Sequence, residues 1–371
     1  MAHDPYKALY LHIPFCVKRC GYCDFATQAM SRDDSRIDAY VEQLIVNIRR
    51  LCKQGELSEV ETVYIGGGTP SHIGLNRLSS LLYALSMSMD LTREGLEFTM
   101  EANPESLTER MVLDIWALGV NRISIGVQSF DDDVLRILGR AHDASRAREA
   151  VLEAQLRFKN VSIDLMCGIP GQSVESLEES VKTAIDLGAT HVSMYPLTIE
   201  PHTAFDRAIL SGEMEEPDDD IEALHMQHAE ELLVKAGFHR YEVASYALPG
   251  FESKHNTSYW TGVPYLGIGQ NATTMTQNAE RRMRVMNGEV IDDLDRHQME
   301  AEDLMLGMRM SQSASDERID VAVEYLPDVY ETLSSLVEDG YLEHEGGRWK
   351  PTAQGWLCGN DLYGRLLDLA P

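Results

Sequence analysis

Three cysteines near the start of the chain have the clearest capacity for chemistry. They occur as Cys16-Val-Lys-Arg-Cys20-Gly-Tyr-Cys23, on one short stretch of chain. Soft thiolates select zinc, copper(I) or iron–sulfur clusters. A structural zinc ion requires a fourth ligand, and the nearest candidate, His12, falls on a predicted strand, whereas a cubane with three protein ligands leaves one iron open. The spacing therefore favours an iron–sulfur cluster over zinc, and both over a disulfide.

The charge of the chain excludes two classes of partner. The 371 residues include 32 Lys and Arg and 60 Asp and Glu, for a formal net charge of −28. Nucleic-acid binding needs a basic surface, and so does electrostatic docking on anionic lipid. The N-terminus lacks a basic segment followed by an apolar one, and no apolar run approaches the roughly 18 residues of a membrane span. We expect a cytoplasmic protein with no integral membrane segment and no nucleic-acid partner.

Strands and helices alternate along the first part of the chain. Six short apolar runs are each followed by a helical pattern or a loop, and a helical pattern fills residues 131 to about 158. This alternation is typical of parallel strands joined by crossover helices. The predicted strands are residues 8–13, 60–65, 96–100, 122–127, 161–166 and 191–195.

The placement of polar residues distinguishes a barrel from an open sheet. A chemically distinctive residue lies at or just beyond the end of each predicted strand, and in a barrel all of those strand ends share one face. In an open sheet, six successive strand ends would not converge. We therefore predict an α/β fold with a partial, TIM-like (β/α)6 barrel over residues 1–200. The residues concerned are Cys16, Gly66–Gly68, Glu101, Gln128, Asp164 and Tyr195.

The alternation ends after residue 200. We predict an extension over residues 201–295, with an edge strand at 241–246, and a C-terminal domain over residues 296–371. Two helices followed by a hairpin in that domain are typical of a winged-helix-like α+β unit. Its six basic and 15 acidic residues would repel phosphate, so we expect it to pack against the barrel or a partner rather than bind DNA.

The cysteine spacing, with Tyr22 before Cys23, resembles the radical SAM superfamily. In that family three cysteines hold a 4Fe–4S cluster, whose fourth iron chelates the amino and carboxylate groups of S-adenosylmethionine. The longer string Tyr10-Leu-His-Ile-Pro-Phe-Cys16 resembles the oxygen-independent coproporphyrinogen III oxidase family, over nearly the whole chain. Cys23-Asp24-Phe25 resembles its heme-chaperone branch, because members that decarboxylate coproporphyrinogen carry a further Cys where this chain has Phe25.

The resemblance implies contacts to S-adenosylmethionine. In the family a Gly-Gly-Gly-Thr-Pro segment holds the methionine end of the cofactor, and a residue at the position of Tyr10 packs against it. Glu101 would accept hydrogen bonds from the amino group, and Arg140 would pair with the carboxylate. Gln128 would bond the ribose or carboxylate, and Asp164 the ribose hydroxyls. Taken singly, each could instead cap the next helix. The implied contacts are Tyr10, Gly67, Gly68, Thr69, Glu101, Gln128, Arg140 and Asp164.

A second string, His255-Asn-Thr-Ser-Tyr259-Trp260, resembles the HNxxYW motif that is associated with heme binding in the heme-chaperone branch. An imidazole nitrogen can ligate heme iron, and Tyr259 and Trp260 offer flat faces for a porphyrin. The alternative is a structural His with two core aromatics. The following stretch, residues 266–272, departs from the Gly/Ala-rich continuation usual in the family.

These resemblances imply a heme chaperone that binds a 4Fe–4S cluster, S-adenosylmethionine and heme, and delivers heme to a cytochrome. Two alternatives remain open. One is radical oxidative decarboxylation of coproporphyrinogen III, which Phe25 disfavours, and the other is a radical SAM enzyme that modifies another tetrapyrrole.

Overall fold

Six parallel strands form the centre of a twelve-stranded sheet. The structure, a computed structural model, describes residues 3–371. Up to residue 196 its elements are β1 (Ala8–Ile13), β2 (Phe15–Cys16), β3 (Gln28–Ala29), α1 (Ser35–Gln54), β4 (Thr62–Gly67), α2 (Leu75–Ser86), β5 (Glu97–Ala102), α3 (Glu109–Ala117), β6 (Arg122–Gln128), α4 (Asp132–Leu138), α5 (Ala144–Gln155), β7 (Asn160–Cys167), α6 (Val174–Asp186) and β8 (His191–Pro196).

The order of these strands in the sheet is the order of the chain. β1, β4, β5, β6, β7 and β8 are neighbours in that sequence, and each pairs in parallel with the next. Leu9 and Leu11 on one face of β1, and Ala8 and His12 on the other, are all buried, as expected for a strand covered on both faces. The prediction of an α/β fold built on a partial (β/α)6 barrel is confirmed, and all six strands end on one side of it.

The helical pattern predicted to run from 131 to 158 is broken in the structure, so that prediction was wrong. Gly139 ends α4 in the left-handed conformation, with φ of 72°, which a residue without a Cβ adopts at little cost. α5 starts again after an N-cap at Asp143. The break matters because it turns Arg140 out of the helix and towards the strand ends.

The next segment extends the same sheet at both edges. β11 pairs in parallel with β1 and continues into three antiparallel strands, while β10 and β9 form a hairpin beside β8 where one edge strand was predicted. The elements are α7 (Ala204–Leu210), α8 (Asp219–Lys235), β9 (His239–Glu242), β10 (Ser245–Ala247), α9 (Lys254–Trp260), β11 (Tyr265–Ile268), β12 (Thr273–Gln277), β13 (Arg281–Met286) and β14 (Glu289–Asp295).

The remaining residues form a unit with its own apolar core, built around Leu304, Met308, Leu333 and Leu362. Its elements are α10 (Arg296–Met308), β15 (Ala314–Ser315), α11 (Asp316–Ala322), α12 (Val329–Glu338), β16 (Leu342–Glu345), β17 (Arg348–Pro351), α13 (Ala353–Leu357) and α14 (Gly359–Leu367).

None of the helices within residues 3–371 combines the length and the apolar character that crossing a membrane would require.

Candidate cofactor site

The cysteine loop lies at the carboxyl end of the barrel strands. It is closed by the short parallel pair of β2 and β3, in which Met30 N donates to Cys16 O at 3.0 Å. The loop packs on α7 so closely that a Cβ on Gly21 would lie 2.3 Å from the ring of Phe205. Cys16, Cys20 and Cys23 are free thiols, each partly exposed. The loop therefore presents all three sulfurs from a fixed backbone.

Each sulfur has a different neighbour. Thr69 Oγ1 donates to Cys16 Sγ at 3.4 Å, Arg140 Nη1 donates to Cys20 Sγ at 3.5 Å, and Cys23 Sγ lies 3.8 Å from the hydroxyl of Thr27. Burial raises the pKa of Cys16 to about 11, although the bond from Thr69 opposes this rise. The guanidinium that reaches a sulfur comes from the break between α4 and α5, not from the cysteine loop itself.

The glycine segment that follows β4 gives the loop its close packing. A Cβ on Gly68 would lie 3.0 Å from Cys16 Sγ and 2.9 Å from the carbonyl oxygen of Ile13. Only a residue without a side chain leaves the space beside that sulfur open. Gly67 N, one residue earlier, donates to Glu101 Oε2 at 3.0 Å.

Glu101 is held at the end of β5 by two donors. Tyr64 Oη donates to its Oε1 at 2.7 Å, and Gly67 N occupies the other oxygen. Burial raises the pKa of Glu101 to about 7, against the hydrogen bond from Tyr64, which lowers it. A partly buried carboxylate so placed suits a cationic amino group.

A cavity of about 350 Å³ opens beside the cysteine loop. Its walls include Tyr10, Gly67 and Glu101 from the barrel and Tyr259 from the C-terminal end of α9. Phe25, two residues after the last cysteine of the loop, also lines the cavity and is 65 % exposed. Three predicted cofactor contacts and one residue of the HNxxYW string therefore share one space.

The other predicted contacts do not line this cavity. Gly68 and Thr69 follow β4, Gln128 and Asp164 lie on β6 and β7, and Arg140 lies in the break between α4 and α5. Gln128 ends β6 with φ of 69°, a conformation that costs a residue with a side chain free energy and often marks a functional position. Asp164 on β7 accepts from Ser124 Oγ at 3.0 Å, and burial raises its pKa. Arg140 also donates to Gly126 O at 2.6 Å, while its Nε is buried without a partner.

The HNxxYW string forms α9, which lies against the barrel. His255 is 1 % exposed, and both of its ring nitrogens are engaged: Nδ1 lies 2.9 Å from Thr62 Oγ1, and Nε2 lies 3.0 Å from Tyr259 Oη. Its ring stacks on Tyr64 at a centroid distance of 5.0 Å. Burial, with a smaller effect of Arg122, lowers the pKa of His255 to about 3, so the ring is neutral.

The two ends of α9 have separate partners. Glu97 of β5 accepts from the backbone N–H groups of Lys254 at 2.8 Å and His255 at 3.0 Å. At the other end, the guanidinium of Arg309 lies 4.4 Å from the ring centroid of Trp260. Trp260 therefore contacts the C-terminal unit, whereas Tyr259 faces the cavity.

The donor set fits a cluster better than a single metal ion. Within the described residues, no three His, Cys, Asp or Glu side chains converge on one ion position, as a zinc site would need. A 4Fe–4S cubane spreads three thiolates over three irons. Gly68 keeps a side chain away from Cys16 Sγ, and the buried Arg140 Nε has no partner in the protein. Cys16, Cys20 and Cys23 would hold the cluster, and a bound cluster would supply an electron to the sulfonium of S-adenosylmethionine.

Sequence reasoning missed residues that complete this site. Tyr64 contacts Glu101 of β5 and Asn103 contacts Thr69 after β4, and neither belongs to a recognisable string. Tyr265, at the start of β11, lies in the stretch without a predicted element. Of these, only Asn103 carried a signal in the sequence, because it follows β5 directly after Glu101 and Ala102.

Comparison with known proteins identifies the class and then the family. Residues 10–184 match the Radical SAM superfamily, and residues 294–358 match the HemN C-terminal domain. The barrel, the three-cysteine loop and these matches define a radical SAM protein.

Relatives that match over the whole length narrow this class. The chain is 34 % identical to a heme chaperone HemW from Lactococcus lactis subsp. lactis (strain IL1403), over 99 % of this chain and 98 % of the relative. It is 32 % identical to the heme chaperone HemW of Bacillus subtilis (strain 168), over 97 % and 99 %, and 34 % identical to that of Escherichia coli (strain K12), over 98 % of both. The chain belongs to the heme chaperone HemW family.

The fold is also similar to that of a solved structure, coproporphyrinogen III oxidase (HemN) from Escherichia coli, described as a radical SAM enzyme. The TM-score is 0.80 at 20 % sequence identity, over 99 % of this chain and 90 % of that chain. At this identity the likeness concerns the fold alone.

Proposed function

We propose that this protein is a heme chaperone that binds a 4Fe–4S cluster, S-adenosylmethionine and heme, and hands heme to a cytochrome. The observation that carries the proposal is its full-length similarity to proteins named heme chaperone HemW. Cys16, Cys20 and Cys23 hold the cluster. The proposed cofactor contacts are Tyr10, Gly67, Gly68, Thr69, Glu101, Gln128, Arg140 and Asp164.

We place the porphyrin face against the wall of the cavity that Phe25, Tyr259 and Tyr265 form, next to the proposed S-adenosylmethionine contacts Tyr10, Gly67 and Glu101. Tyr259 and Tyr265 meet there edge to face at a centroid distance of 4.9 Å, and Phe25 offers an exposed ring at the same cavity. Flat apolar surfaces of this kind suit a tetrapyrrole. Trp260 is covered on one face by Arg309, so we assign it to holding the C-terminal unit.

Ligation of heme iron by His255 stays a prediction, and the contacts of its ring show what would have to change first. Its Nε2 must first release Tyr259 Oη, and α9 must move, because the ring is buried against Tyr64. Ligation would therefore be accompanied by a change at the cavity wall.

Oxidative decarboxylation of coproporphyrinogen III is the less favoured function. Decarboxylating members carry a further Cys at the position of Phe25. The phenyl ring has no sulfur and cannot take the place of that thiol in chemistry at the cavity. Its exposed apolar face is better suited to contact a ligand than to react with one.

Hemin titration of the reconstituted full-length protein tests the proposal. We expect a stoichiometric Soret band, a several-fold weaker affinity in Phe25→Ala, and transfer of the heme to an apo-cytochrome. Tyr83→Ala is the matched control, because Tyr83 is similarly exposed, at 58 %, but lies on α2 and does not line the cavity. Absence of a saturable band, or formation of protoporphyrinogen from coproporphyrinogen III under reducing conditions, would overturn the chaperone assignment.

A further inference from the structure

Four hydrogen bonds join Cys16 to Cys20 through side chains from three other parts of the chain. Thr69 Oγ1 contacts Cys16 Sγ at 3.4 Å, and Asn103 Nδ2 lies 2.9 Å from Thr69 Oγ1. Arg140 Nη2 lies 2.8 Å from Asn103 Oδ1, and its Nη1 lies 3.5 Å from Cys20 Sγ. We call Thr69, Asn103 and Arg140 the cysteine-linking network.

The donor and acceptor of every hydrogen bond in the cysteine-linking network can be assigned, starting from Arg140. A guanidinium only donates, so the amide oxygen of Asn103 must face Arg140 and its NH2 group must face Thr69. The hydroxyl of Thr69 then accepts from Asn103, and its single hydrogen is left for Cys16 Sγ. The amide orientation that the distances imply is the only one that satisfies all partners.

The backbone around Asn103 keeps this orientation in place. Asn103 N donates to Ser71 Oγ at 3.2 Å, and Asn103 O accepts from Leu107 N at 3.1 Å. Thr69 is only 1 % exposed. A Cβ on Gly126 would lie 2.7 Å from Asn103 Oδ1, so the amide is enclosed on that side as well.

We propose that Asn103 is a positioning residue that controls the hydrogen bonding of two cluster ligands and thereby the reduction potential of the cluster. Asn103 touches neither sulfur and acts through Thr69 and Arg140. Hydrogen bonds to ligand sulfurs stabilise the extra negative charge of the reduced state and raise the potential of an iron–sulfur cluster. The inference rests on cluster binding by Cys16, Cys20 and Cys23 in the proposed function.

Asn103→Asp tests whether Asn103 acts through Thr69, with almost no change in side-chain volume. The carboxylate still accepts from Arg140, but it offers no donor to Thr69, and it draws the hydroxyl hydrogen of Thr69 away from Cys16. We expect a more negative midpoint potential in an anaerobic redox titration followed by EPR of the reconstituted full-length protein. Thr69→Val should shift the potential in the same direction, and Thr69→Ser should leave it unchanged.

The added negative charge of Asn103→Asp could lower the potential by itself, and the double variant separates the two causes. If Asn103 acts through Thr69, Asn103→Asp should shift the potential less in the Thr69→Val background than in the parent. Equal shifts in both backgrounds, or a parental potential in Thr69→Val, would overturn the inference while leaving the chaperone proposal intact. A parent protein that takes up no iron and sulfide would overturn both.

Discussion

Two sequence motifs, the three-cysteine string and the HNxxYW string, occupy very different environments in this molecule. We call the cysteine loop, Gly66–Thr69, Glu101–Asn103 and Arg140 the cofactor pole. There the sulfurs are partly exposed, Arg140 Nε has no partner, and a cavity opens beside Glu101. In α9, by contrast, His255 is buried and both ring nitrogens are engaged. The sulfurs of the cofactor pole are therefore partly open to a ligand, whereas His255 joins α9 to β4 through Thr62 and Tyr64.

The comparison shows that partly exposed sulfurs beside a cavity, more than motif identity, distinguish a binding site from a structural element. Unpartnered polar atoms do not separate the two regions, because Trp260 Nε1 of α9 is buried without a partner, as Arg140 Nε is. The imidazole of His255, in contrast, would have to give up two hydrogen bonds before it could bind a ligand. α9 nevertheless touches the cofactor pole, because His255 stacks on Tyr64 and Tyr64 donates to Glu101.

The largest effect that we expect is at Gly68. Gly68→Ala places a Cβ within 3.0 Å of Cys16 Sγ and 2.9 Å of backbone, so iron and sulfide incorporation should be nearly abolished. Gly364→Ala is the control, because a Cβ there meets nothing within 4 Å. Normal cluster content in Gly68→Ala would show that the cofactor pole is not fixed as described.

The next largest effect concerns the stability of α9. His255→Ala removes two hydrogen bonds and a stacked ring from the core, and we expect the free energy of unfolding to fall by about 3 kcal/mol. Tyr259→Phe, which loses one hydrogen bond, should cost about 1 kcal/mol. Urea unfolding followed by circular dichroism measures both. Unchanged stability with complete loss of the Soret band would instead make His255 a heme ligand and not a structural residue.

Glu101 should make cofactor affinity depend on pH. Because its pKa is raised to about 7, lowering the pH protonates the carboxylate that would receive the amino group of S-adenosylmethionine. The affinity should fall about tenfold between pH 8 and pH 6, as measured by equilibrium binding. Glu101→Gln should bind more weakly at pH 8 and show little pH dependence. A parallel pH dependence in the parent and the variant would assign the effect to another group.

The most gradual effect is the pH dependence of stability. The pKa of His255 is about 3 in the folded protein and near 6.5 in the unfolded chain. The unfolded state therefore binds more protons below pH 6.5, and stability falls as the pH decreases. His255 contributes up to about 1.4 kcal/mol per pH unit there, and His255→Gln should reduce that slope. His191, whose pKa burial also lowers, stays in both proteins. Equal slopes would contradict the buried neutral ring.

The sequence predicted the barrel because burial leaves a strong pattern in each parallel strand. Runs such as residues 8–13 are apolar throughout, and the structure places β1 at those residues. β13 and β14 escaped prediction because they carry charges that pair across strands, such as Arg281 with Asp293, and lack apolar alternation. The break at Gly139 was missed because apolar residues continue at helical spacing on both sides of it.

The cofactor pole could be predicted only in part. Its cysteines and glycines form local strings, whereas Asn103 gains its partners from loops 34 and 37 residues away along the chain. The burial of His255 was equally invisible, because it depends on Thr62 and Tyr64 of β4. Local spacing predicts which residues could form a site together. The contacts made in the folded chain determine which of those residues are free to bind a ligand.

EPR of the reduced, reconstituted protein with and without S-adenosylmethionine tests the central claim most directly. If the cofactor pole holds a cluster with an open iron while α9 serves the fold, saturating S-adenosylmethionine should change the cluster spectrum alike in the parent, in His255→Gln and in the reference variant His191→Gln. His191 is a suitable reference because it is a buried His bonded to Ser162 and Tyr241, away from the cysteines. A cluster signal that S-adenosylmethionine leaves unchanged, or one that survives replacement of Cys16, Cys20 and Cys23 by Ser, would contradict the account.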